Sequence, residues 1–429
     1  MGIGQAFELP KDQKYQKIKF ELVNNLIIIP IEVNGTQLSF LLDSGVNKPI
    51  LFNITDQDSI EIKNVSEIKI KGLGEGKPLK ALSSRGNTFK LKNIINREQL
   101  LYVIIDKSLN FSTSLGIPVH GIIGYDLFRD FVVDINYSNK TIKFYDPEHY
   151  QYKKNKKAET LPLTIHRRKA YVDANVFIAD SENIPVHLLL DTGSSDAIWL
   201  FEDDDIGIPT ENYDDFLGKG LNGDIFGKRT KVNSIQLGSF ALRDAKAAFP
   251  NSRSFASIKN MGNRNGSIGG EVLKRFNIVF DYPNQKVTLR KNHMYKSPFH
   301  YNLSGITLQH DGVRLVSQRI SDGRGVVKSK GGSFGNVQIL FENHTRLSLV
   351  PEIVVSGIRA GSPAETAGLK QGDIILAVNG KSIHKYKIQE IMQMLDEKKG
   401  KRIKVLIERY NSDLLFSFVL EDLFKHKKP

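Results

Sequence analysis

The architecture of the chain follows from the stretch LSFLLDSG, residues Leu38–Gly45, because a near copy of it, VHLLLDTG, stands at Val186–Gly193. The aspartates of the two copies, Asp43 and Asp191, are 148 residues apart. Each follows an apolar run typical of a buried β-strand and precedes a hydroxyl residue and a glycine, which favour a turn. The pattern predicts that each copy delivers a carboxylate at the end of a core strand.

Other motifs recur in the same order and at nearly the same spacing. The tripeptide KGL occurs at 71–73 and again at 219–221, and GIIG at 121–124 corresponds to GSIG at 266–269. Each of these last motifs is followed by a short helical pattern, a strand, a Tyr-x-Asn turn and a further strand. Self-similarity of this kind indicates a duplicated unit of about 140 residues.

The predicted fold class is mostly β, with two copies of one β lobe followed by a module of another kind. The first lobe is expected at 14–150 and the second at 160–295, joined by the polar, lysine-rich segment 151–160. A change of pattern after Tyr301 indicates a third domain, expected at 299–425. At about 150 residues per domain, a chain of 429 residues is long enough for three domains.

The third module combines strand patterns with helix and turn signals. Ser362 and Pro363 suit the N-cap and first position of a helix, which Gly368 would end. The pair Asn379-Gly380 is a hairpin-turn signal. Apolar residues at i, i+3, i+4 and i+7 then predict an amphipathic helix: Ile388, Ile391, Met392 and Leu395. These features together indicate an α+β domain.

The repeated aspartate suggests a chemistry that a single copy would not. One Asp-Ser/Thr-Gly tripeptide usually marks a turn, but two copies related by a pseudo-twofold axis would bring Asp43 and Asp191 together. Two carboxylates within about 3 Å cannot both ionise, so the pair would hold one proton. The charged member can accept a proton from a water molecule while the protonated member polarises a peptide carbonyl. This hydrolysis needs no metal ion and no cofactor.

The composition excludes a competing class of chemistry. The sequence contains no cysteine, which removes thiolate metal sites and cysteine nucleophiles. The ten histidines lack a metal-ligand spacing such as His-Glu-x-x-His, so no metal site is expected.

The repeated motifs resemble those of the retropepsin- and pepsin-like aspartic peptidases, over about residues 15–295. The resemblance implies two acid-protease β-barrel lobes whose aspartates, Asp43 and Asp191, activate the water that hydrolyses a peptide bond. It also implies that neighbouring residues support this dyad: Ser44, Gly45, Thr192, Gly193 and Ser194. Glycine-bearing hairpins would close as flaps over an extended peptide or unfolded protein substrate: Gly72, Leu73, Gly74, Gly220, Leu221 and Gly223. Because both halves lie on one chain, as in pepsins, a monomer is expected.

Two departures from the family pattern leave an alternative open. Val46 stands where pepsins have a hydroxyl residue, whereas Ser194 is present in the second copy. Retropepsins often carry alanine at the position of Val46, and neither flap has the tyrosine typical of pepsins. The alternative function is a catalytically inactive scaffold that binds peptides in the same cleft and in the third domain.

The third module resembles a PDZ domain through AGSPA at 360–364 and GDII at 372–375. Such a domain adds an extended peptide to a strand edge beside its helix and holds the terminal carboxylate on backbone amides. The glycine-rich segment Gly323–Gly335 indicates an insertion in this module. The resemblance implies that the module binds protein C-termini through a carboxylate loop formed by four residues: Leu303, Ser304, Gly305 and Ile306.

The combination of motifs resembles aspartyl-protease-plus-PDZ proteins of Bacteroidetes-type bacteria, which are often exported. No signal peptide is visible in the first residues of the sequence. The longest aliphatic run, 26–31, is far below the about 20 residues that span a bilayer, so no transmembrane segment is expected.

The net charge of +13 raises binding to nucleic acid or to an anionic envelope surface as a third interpretation. The lysines cluster at 153–157 and 425–428, where solvated segments are expected. No basic module with interleaved aromatic residues is present. Nucleic acid is therefore not expected as a partner.

Overall fold

A computed structural model of the chain describes residues 6–54, 60–105, 109–152, 155–178, 183–255, 263–321, 326–328, 338–340, 343–421 and 423–424. The protein is mostly β, which confirms the predicted fold class. Its chain forms two compact units, one comprising Met1–Asn302 with Asp422–Pro429 and the other comprising Leu303–Glu421. Parts of the predicted lysine clusters, at 153–154 and 425–428, lie outside the described residues.

The first repeat consists of β1 (Tyr15–Lys19), β2 (Glu21–Val23), β3 (Leu26–Val33), β4 (Thr36–Leu42), β5 (Ile50–Leu51), β6 (Val65–Ile70), β7 (Leu79–Leu91), β8 (Ile94–Ile104), α1 (Ser112–Leu115), β9 (Gly121–Ile123), α2 (Tyr125–Asp130), β10 (Val132–Asn136), β11 (Thr141–Tyr145) and a 3-10 turn at Pro147–His149.

The second repeat consists of β12 (Ala158–Pro162), β13 (Thr164–His166), β14 (Lys169–Phe177), β15 (Asn183–Leu190), β16 (Ile198–Leu200), β17 (Asn212–Gly220), β18 (Gly223–Leu237), β19 (Phe240–Pro250), α3 (Ser252–Phe255), β20 (Gly266–Ile268), α4 (Gly270–Leu273), β21 (Phe276–Asp281) and β22 (Lys286–Lys291).

The two repeats form sheets of the same topology. The first has the strand order β2-β3-β4-β9-β5-β8-β7-β6, and the second has β13-β14-β15-β20-β16-β19-β18-β17. In each, the strand that leads to the aspartate runs parallel to the strand of the later glycine motif, with Leu42 opposite Ile123 and Leu190 opposite Ile268. Each motif aspartate therefore lies at the same strand end of its own sheet.

A third sheet joins the repeats. Its order is β1-β11-β10-β21-β22-β12, and the repeats meet where β10 pairs antiparallel with β21, with Val132 opposite Asp281. The segment predicted as a linker ends in this sheet, because β12 pairs with β22 and buries Leu161 opposite Val287. One continuous apolar core extends across both repeats. The shared sheet therefore fixes the relative position of the two aspartate-bearing strands.

The second unit consists of β23 (Ile306–Ser321), β24 (Val326–Lys328), β25 (Gln338–Leu340), β26 (Asn343–Ile358), α5 (Pro363–Thr366), β27 (Ile374–Val378), β28 (Lys381–Ser382), a 3-10 turn at Ile383–Lys385, α6 (Ile388–Leu395), β29 (Arg402–Arg409) and β30 (Ser412–Val419). The strand order of its main sheet is β23-β26-β27-β29-β30, with β28 on β27.

Local signals account for the helices of this unit. The Ser362 hydroxyl accepts a hydrogen bond from the Glu365 N–H at the start of α5, as its N-cap position predicts. The apolar stripe of α6 is buried in the unit's own core at Ile388, Ile391 and Leu395. The predicted insertion lies between β23 and β26, and its residues 323–325 and 329–335 are outside the described residues. Among the described helices, none is long and apolar enough to cross a membrane.

Candidate active site

The two motifs are fastened to each other by their hydroxyl residues. Ser44 and Thr192 are both fully buried. The Ser44 N–H donates to Thr192 Oγ1 at 2.9 Å, and the Thr192 N–H donates to Ser44 Oγ at 3.0 Å. The same hydroxyls donate to main-chain carbonyls of the opposite repeat, Ser44 to Leu190 at 2.6 Å and Thr192 to Leu42 at 2.7 Å. These four bonds hold the two motif backbones in a reciprocal arrangement.

The aspartates face a common space between the repeats. The Gly45 N–H donates to Asp43 Oδ1 at 2.7 Å, and the Gly193 N–H donates to Asp191 Oδ1 at 3.0 Å. A Cβ at Gly45 would lie 3.1 Å from Asp43 Oδ1 and 3.3 Å from Asp191 Oδ1, so both carboxylates border the same glycine. The two carboxyl groups are close enough for the charge of Asp191 to raise the pKa of Asp43. Neighbouring carboxyl groups of this kind do not readily both ionise.

The surroundings of Asp43 favour the protonated form of its carboxyl group. Burial, and after it the negative charge of Asp191, raise the pKa of Asp43 well above its usual range. The Gly45 N–H and the charge of Lys169 act in the opposite direction but are weaker. The Asp43 carboxyl is therefore favoured in its protonated form at a pH where an ordinary aspartate is ionised.

The turn after each motif makes the same backbone contact in both repeats. The Val46 carbonyl accepts from the Tyr125 N–H at 3.1 Å, and the Ser194 carbonyl accepts from the Gly270 N–H at 2.7 Å. Because the contact uses the main chain, it does not depend on a hydroxyl side chain at position 46. The departure from the pepsin pattern at Val46 leaves this support in place.

The predicted flap residues lie at the tips of two hairpins. Gly72, Leu73 and Gly74 lie in the connection between β6 and β7, and Gly220, Leu221 and Gly223 lie at the turn between β17 and β18. A Cβ at Gly72 would lie 2.8 Å from Leu221 Cβ, and one at Gly220 would lie 2.3 Å from the Leu73 carbonyl oxygen. Glycine at these positions allows the two tips to touch.

Asn222 joins the two tips and was missed by the sequence analysis. Its side chain accepts from the Gly72 N–H and donates to the Lys77 carbonyl at 2.6 Å. Its own N–H donates to the Leu73 carbonyl at 2.8 Å, and its carbonyl accepts from the Gly76 N–H at 2.7 Å. The residue is only 3% exposed. In the sequence, Leu-Asn-Gly indicates a turn but gives no sign of this cross-repeat role.

Each flap tip places its leucine against the opposite repeat. Leu73 packs on Phe201 and Phe255 of the second repeat. Leu221 packs on an apolar cluster of the first repeat that includes Ile28 and Val119. Each hairpin tip is therefore packed against the opposite repeat, and the two tips are fastened to each other by hydrogen bonds.

We expect Asn222→Ala to loosen this closure. Alanine would remove the bonds of the Asn222 side chain to the Gly72 N–H and the Lys77 carbonyl, at a cost of about 0.5–1.5 kcal/mol for each bond. Amide hydrogen exchange, measured by mass spectrometry on peptides that contain Gly72–Lys77, should accelerate by about tenfold or more. Asn139→Ala, in the exposed turn between β10 and β11, is the control and should leave flap exchange unchanged. Unchanged exchange in Asn222→Ala would contradict the role of Asn222 as a fastener.

A buried ion network supports the second motif. The Asp196 carboxylate accepts two bonds from Arg229 at 2.8 Å and one from Trp199 Nε1 at 3.0 Å. Lys246 lies 3.4 Å from Asp196 and 2.5 Å from Glu271, at the start of α4. Although burial acts in the opposite direction, the cations lower the pKa of Asp196 to about 2. The network ties the turn after Asp191 to the strands behind it.

Two cations near the dyad were also missed by the sequence analysis. Lys169 begins β14, and Arg264 lies two residues before β20. Burial, and then the charge of Arg264, lower the pKa of Lys169, while Asp191 and Asp43 oppose that shift. The charge of Asp191 also acts on Arg264. No motif contains these residues, so only the folded chain brings them to the site.

The predicted carboxylate loop of the second unit has a partner within its own domain. Asp396, at the end of α6, accepts from the Ser304 N–H and the Ser304 hydroxyl, both at 2.9 Å. The Leu303 N–H also donates to this carboxylate. The Gly305 carbonyl accepts from Arg359 at 2.9 Å, and the Ile306 N–H donates to Ser304 Oγ at 3.3 Å. The binding role of the loop stays a prediction, and Asp396 engages two of the amides it would need.

The described residues do not offer the set of ligands that a metal site requires. Among the residues that the structure describes, no group of three or more His, Asp or Glu side chains is arranged to hold a metal ion. The dyad, the flaps and the two cations are thus the chemically distinctive groups of the first unit.

Comparisons with known proteins agree with both sequence resemblances. The family model described as aspartyl protease matches residues 29–127, which include Asp43 and the first flap tip. The model described as PDZ domain matches residues 354–409. The chain therefore carries an aspartyl protease domain and a C-terminal PDZ domain.

Two curated relatives match short segments. The carboxy-terminal processing protease CtpA of Bacillus subtilis is 42% identical over 57 residues, which cover 13% of this chain and 12% of that protein. The putative protease Do-like 14 of Arabidopsis thaliana is 32% identical over 74 residues, which cover 17% of this chain and 14% of that protein. Each match spans less than a sixth of the relative's length.

Proposed function

We propose that the chain is an aspartic endopeptidase of the retropepsin-like type, in which Asp43 and Asp191 activate a water molecule. The observation that carries the proposal is the reciprocal bonding of Ser44 and Thr192, which holds the two aspartate motifs side by side. The raised pKa of Asp43 supports a dyad with one shared proton. The aspartyl protease match over the first repeat supports the same reading.

The chemistry follows from that protonation state. The ionised carboxylate takes a proton from water as the water oxygen attacks the peptide carbonyl carbon. The protonated carboxyl donates its proton to the carbonyl oxygen, and a tetrahedral diol forms. Collapse of the diol breaks the C–N bond: the protonated carboxyl gives its proton to the leaving nitrogen, and the ionised carboxylate takes a proton from one diol hydroxyl. The products are a new carboxyl terminus and a new amine, and the dyad again holds one proton.

Substrate entry requires the flaps to separate. Leu73 and Leu221 each pack on the opposite repeat while Asn222 joins the two tips. An extended peptide would enter when these contacts open and would then be covered by both hairpins. The proposed substrate is accordingly an unfolded protein or a flexible segment. A monomer suffices for catalysis, because one chain supplies both aspartates.

The direct test is incubation of the full chain with a denatured protein over a range from acidic to neutral pH. Cleavage within the substrate chain, unaffected by a metal chelator, is the expected result. Activity should persist to neutral pH, because burial and Asp191 raise the pKa of Asp43 and so keep the pair singly protonated there. Absence of cleavage across a broad panel of unfolded proteins would favour the alternative, an inactive peptide-binding scaffold.

We further propose that the PDZ domain binds protein C-termini by adding them to β23. That strand lies at the end of the sheet order, with β26 on one side, and α6 packs nearby. An extended peptide can pair with such an edge. Peptides with a free terminal carboxylate should bind more tightly than their amidated forms, and equal binding would contradict this role.

A further inference from the structure

The two repeats carry different side chains on the sheet face beside their aspartates, which is called here the floor of each repeat. In the first, the turn Asn24-Asn25 leads into β3 at Leu26, and in the second the turn Arg167-Arg168 leads into β14 at Lys169. All four turn residues have positive φ, so the hairpins correspond position by position. Lys169 thus occupies the place of Leu26.

The same comparison identifies two further positions. Ile28 lies opposite Leu41 in the first repeat, and Tyr171 lies opposite Leu189 in the second. Val119 precedes Gly121 by two residues, as Arg264 precedes Gly266. The residues between them make equivalent hydrogen bonds: the His120 N–H donates to the Ser39 carbonyl, and the Asn265 N–H donates to the His187 carbonyl. Lysine, tyrosine and arginine therefore replace leucine, isoleucine and valine on this face.

Lys169 and Tyr171 lie on the face of the sheet that is opposite to the main core. Ala170 and Val172, which alternate with Lys169 and Tyr171, belong to the core that spans both repeats. In the first repeat the opposite face is a buried apolar cluster containing Leu26, Ile28 and Val119. In the second repeat both cations are partly exposed and lie where the charge of Asp191 acts on them.

Arg264 is held in place without an ion pair. Its Nε donates to the Gly266 carbonyl at 2.9 Å, and its guanidinium carbon lies 5.3 Å from the ring centre of Phe201. Among the described residues, neither Lys169 nor Arg264 forms a salt bridge. The charge of Arg264 acts against that of Lys169. A dyad that holds one proton, as proposed above, would supply one negative charge against these two positive charges.

Cations that are only partly exposed to water and form no ion pair are costly, and a bound anion would relieve that cost. We propose that Lys169 and Arg264 form a subsite of the second repeat that binds a substrate carboxylate beside the scissile bond. The carboxylate is that of an aspartate or glutamate side chain, and the guanidinium of Arg264 suits it geometrically. The apolar floor of the first repeat would take an apolar side chain on the other side of the bond. This inference rests on the proposed peptidase function and names its substrate class.

The test compares matched peptides that differ only by glutamate or glutamine at one position flanking the bond, each with a blocked and a free C-terminus. Wild type should show a kcat/KM about 10- to 100-fold higher for glutamate. In Lys169→Met this preference should fall towards one, while the glutamine peptide is still cleaved. Taking the ratio within each enzyme cancels any effect of Lys169 on the dyad's pKa. Lys231→Met, which changes a partly exposed lysine of β18 that lies 3.6 Å from Asp244, should keep the wild-type ratio.

The outcomes separate this inference from the proposed function. Cleavage without a glutamate preference overturns the subsite and leaves the peptidase intact. A preference that requires a free C-terminus shows that the cations bind a chain terminus instead, and overturns the side-chain assignment. If no peptide is cleaved, the peptidase proposal fails, and calorimetric binding of the same peptides decides the subsite. Tighter binding of the glutamate peptide would support it, and equal affinities would reject it.

Discussion

Asp43→Asn and Asp191→Asn are each expected to lower kcat/KM for peptide cleavage by about 10³- to 10⁴-fold. An asparagine amide cannot accept the proton of the attacking water, and it cannot hold the proton that the two carboxyl groups share. One carboxyl accepts the water proton while the other donates a proton to the peptide carbonyl. Because both transfers belong to one step, removing either aspartate should lower the rate about as much as removing both. The measurement is single-turnover cleavage of an unstructured peptide by both variants and the double variant.

Folding provides the internal control for this experiment. The pKa of Asp43 is raised in the folded state, so its contribution to stability is present below the unfolded pKa and is lost as the pH rises through the folded value. Asparagine has no charge to bury, and Asp43→Asn should therefore be at least as stable as wild type at neutral pH. Asp204→Asn, in an exposed acidic loop, should change neither activity nor stability. Activity that survives in both dyad variants would refute the mechanism.

The sequence predicted those features that short patterns encode. The repeated apolar-Asp-hydroxyl-Gly pattern placed both aspartates at strand ends, because alternating burial and a following turn are local properties. The helix α6 was predicted from its apolar period, and the α5 N-cap from Ser362 and Pro363. In each case the residues that determine the element lie within a few positions of each other.

Features created by contacts between the repeats could not be predicted in this way. Asn222 is a turn residue by its sequence, and its bonds to the first flap arise only when the two hairpins meet. Lys169 and Arg264 are 95 residues apart in the sequence and approach Asp191 through β14 and β20, which flank β15. The strand β12 was hidden in a lysine-rich segment, because its pairing with β22 outweighs its polar composition.

Gly193→Ala is expected to reduce activity far more than Gly45→Ala, although the two glycines occupy equivalent positions. A Cβ at Gly193 would lie 2.2 Å from Asp43 Cγ and 2.3 Å from Asp43 Oδ2. The carboxyl group would have to move by about 1 Å, a displacement that can cost about 100-fold in rate. At Gly45 the nearest atoms are 3.1 and 3.3 Å away, so shifts of a few tenths of an ångström suffice and only a small loss is expected.

The pair of variants isolates the geometry of the dyad from the stability of the fold. The atoms in the way at Gly193 are the end of a side chain, which can rotate, so thermal unfolding should change little while kcat falls. Both variants add the same methyl group next to the same dyad. They differ in the distance from the new Cβ to the nearest carboxyl atoms. If the two lost activity equally, the clearance at Gly193 would not be what positions Asp43. If Gly193→Ala lost activity only in proportion to the loss of folded protein, the effect would be one of stability. The displaced Asp43 carboxyl would then still support catalysis, which would contradict the expected role of its position.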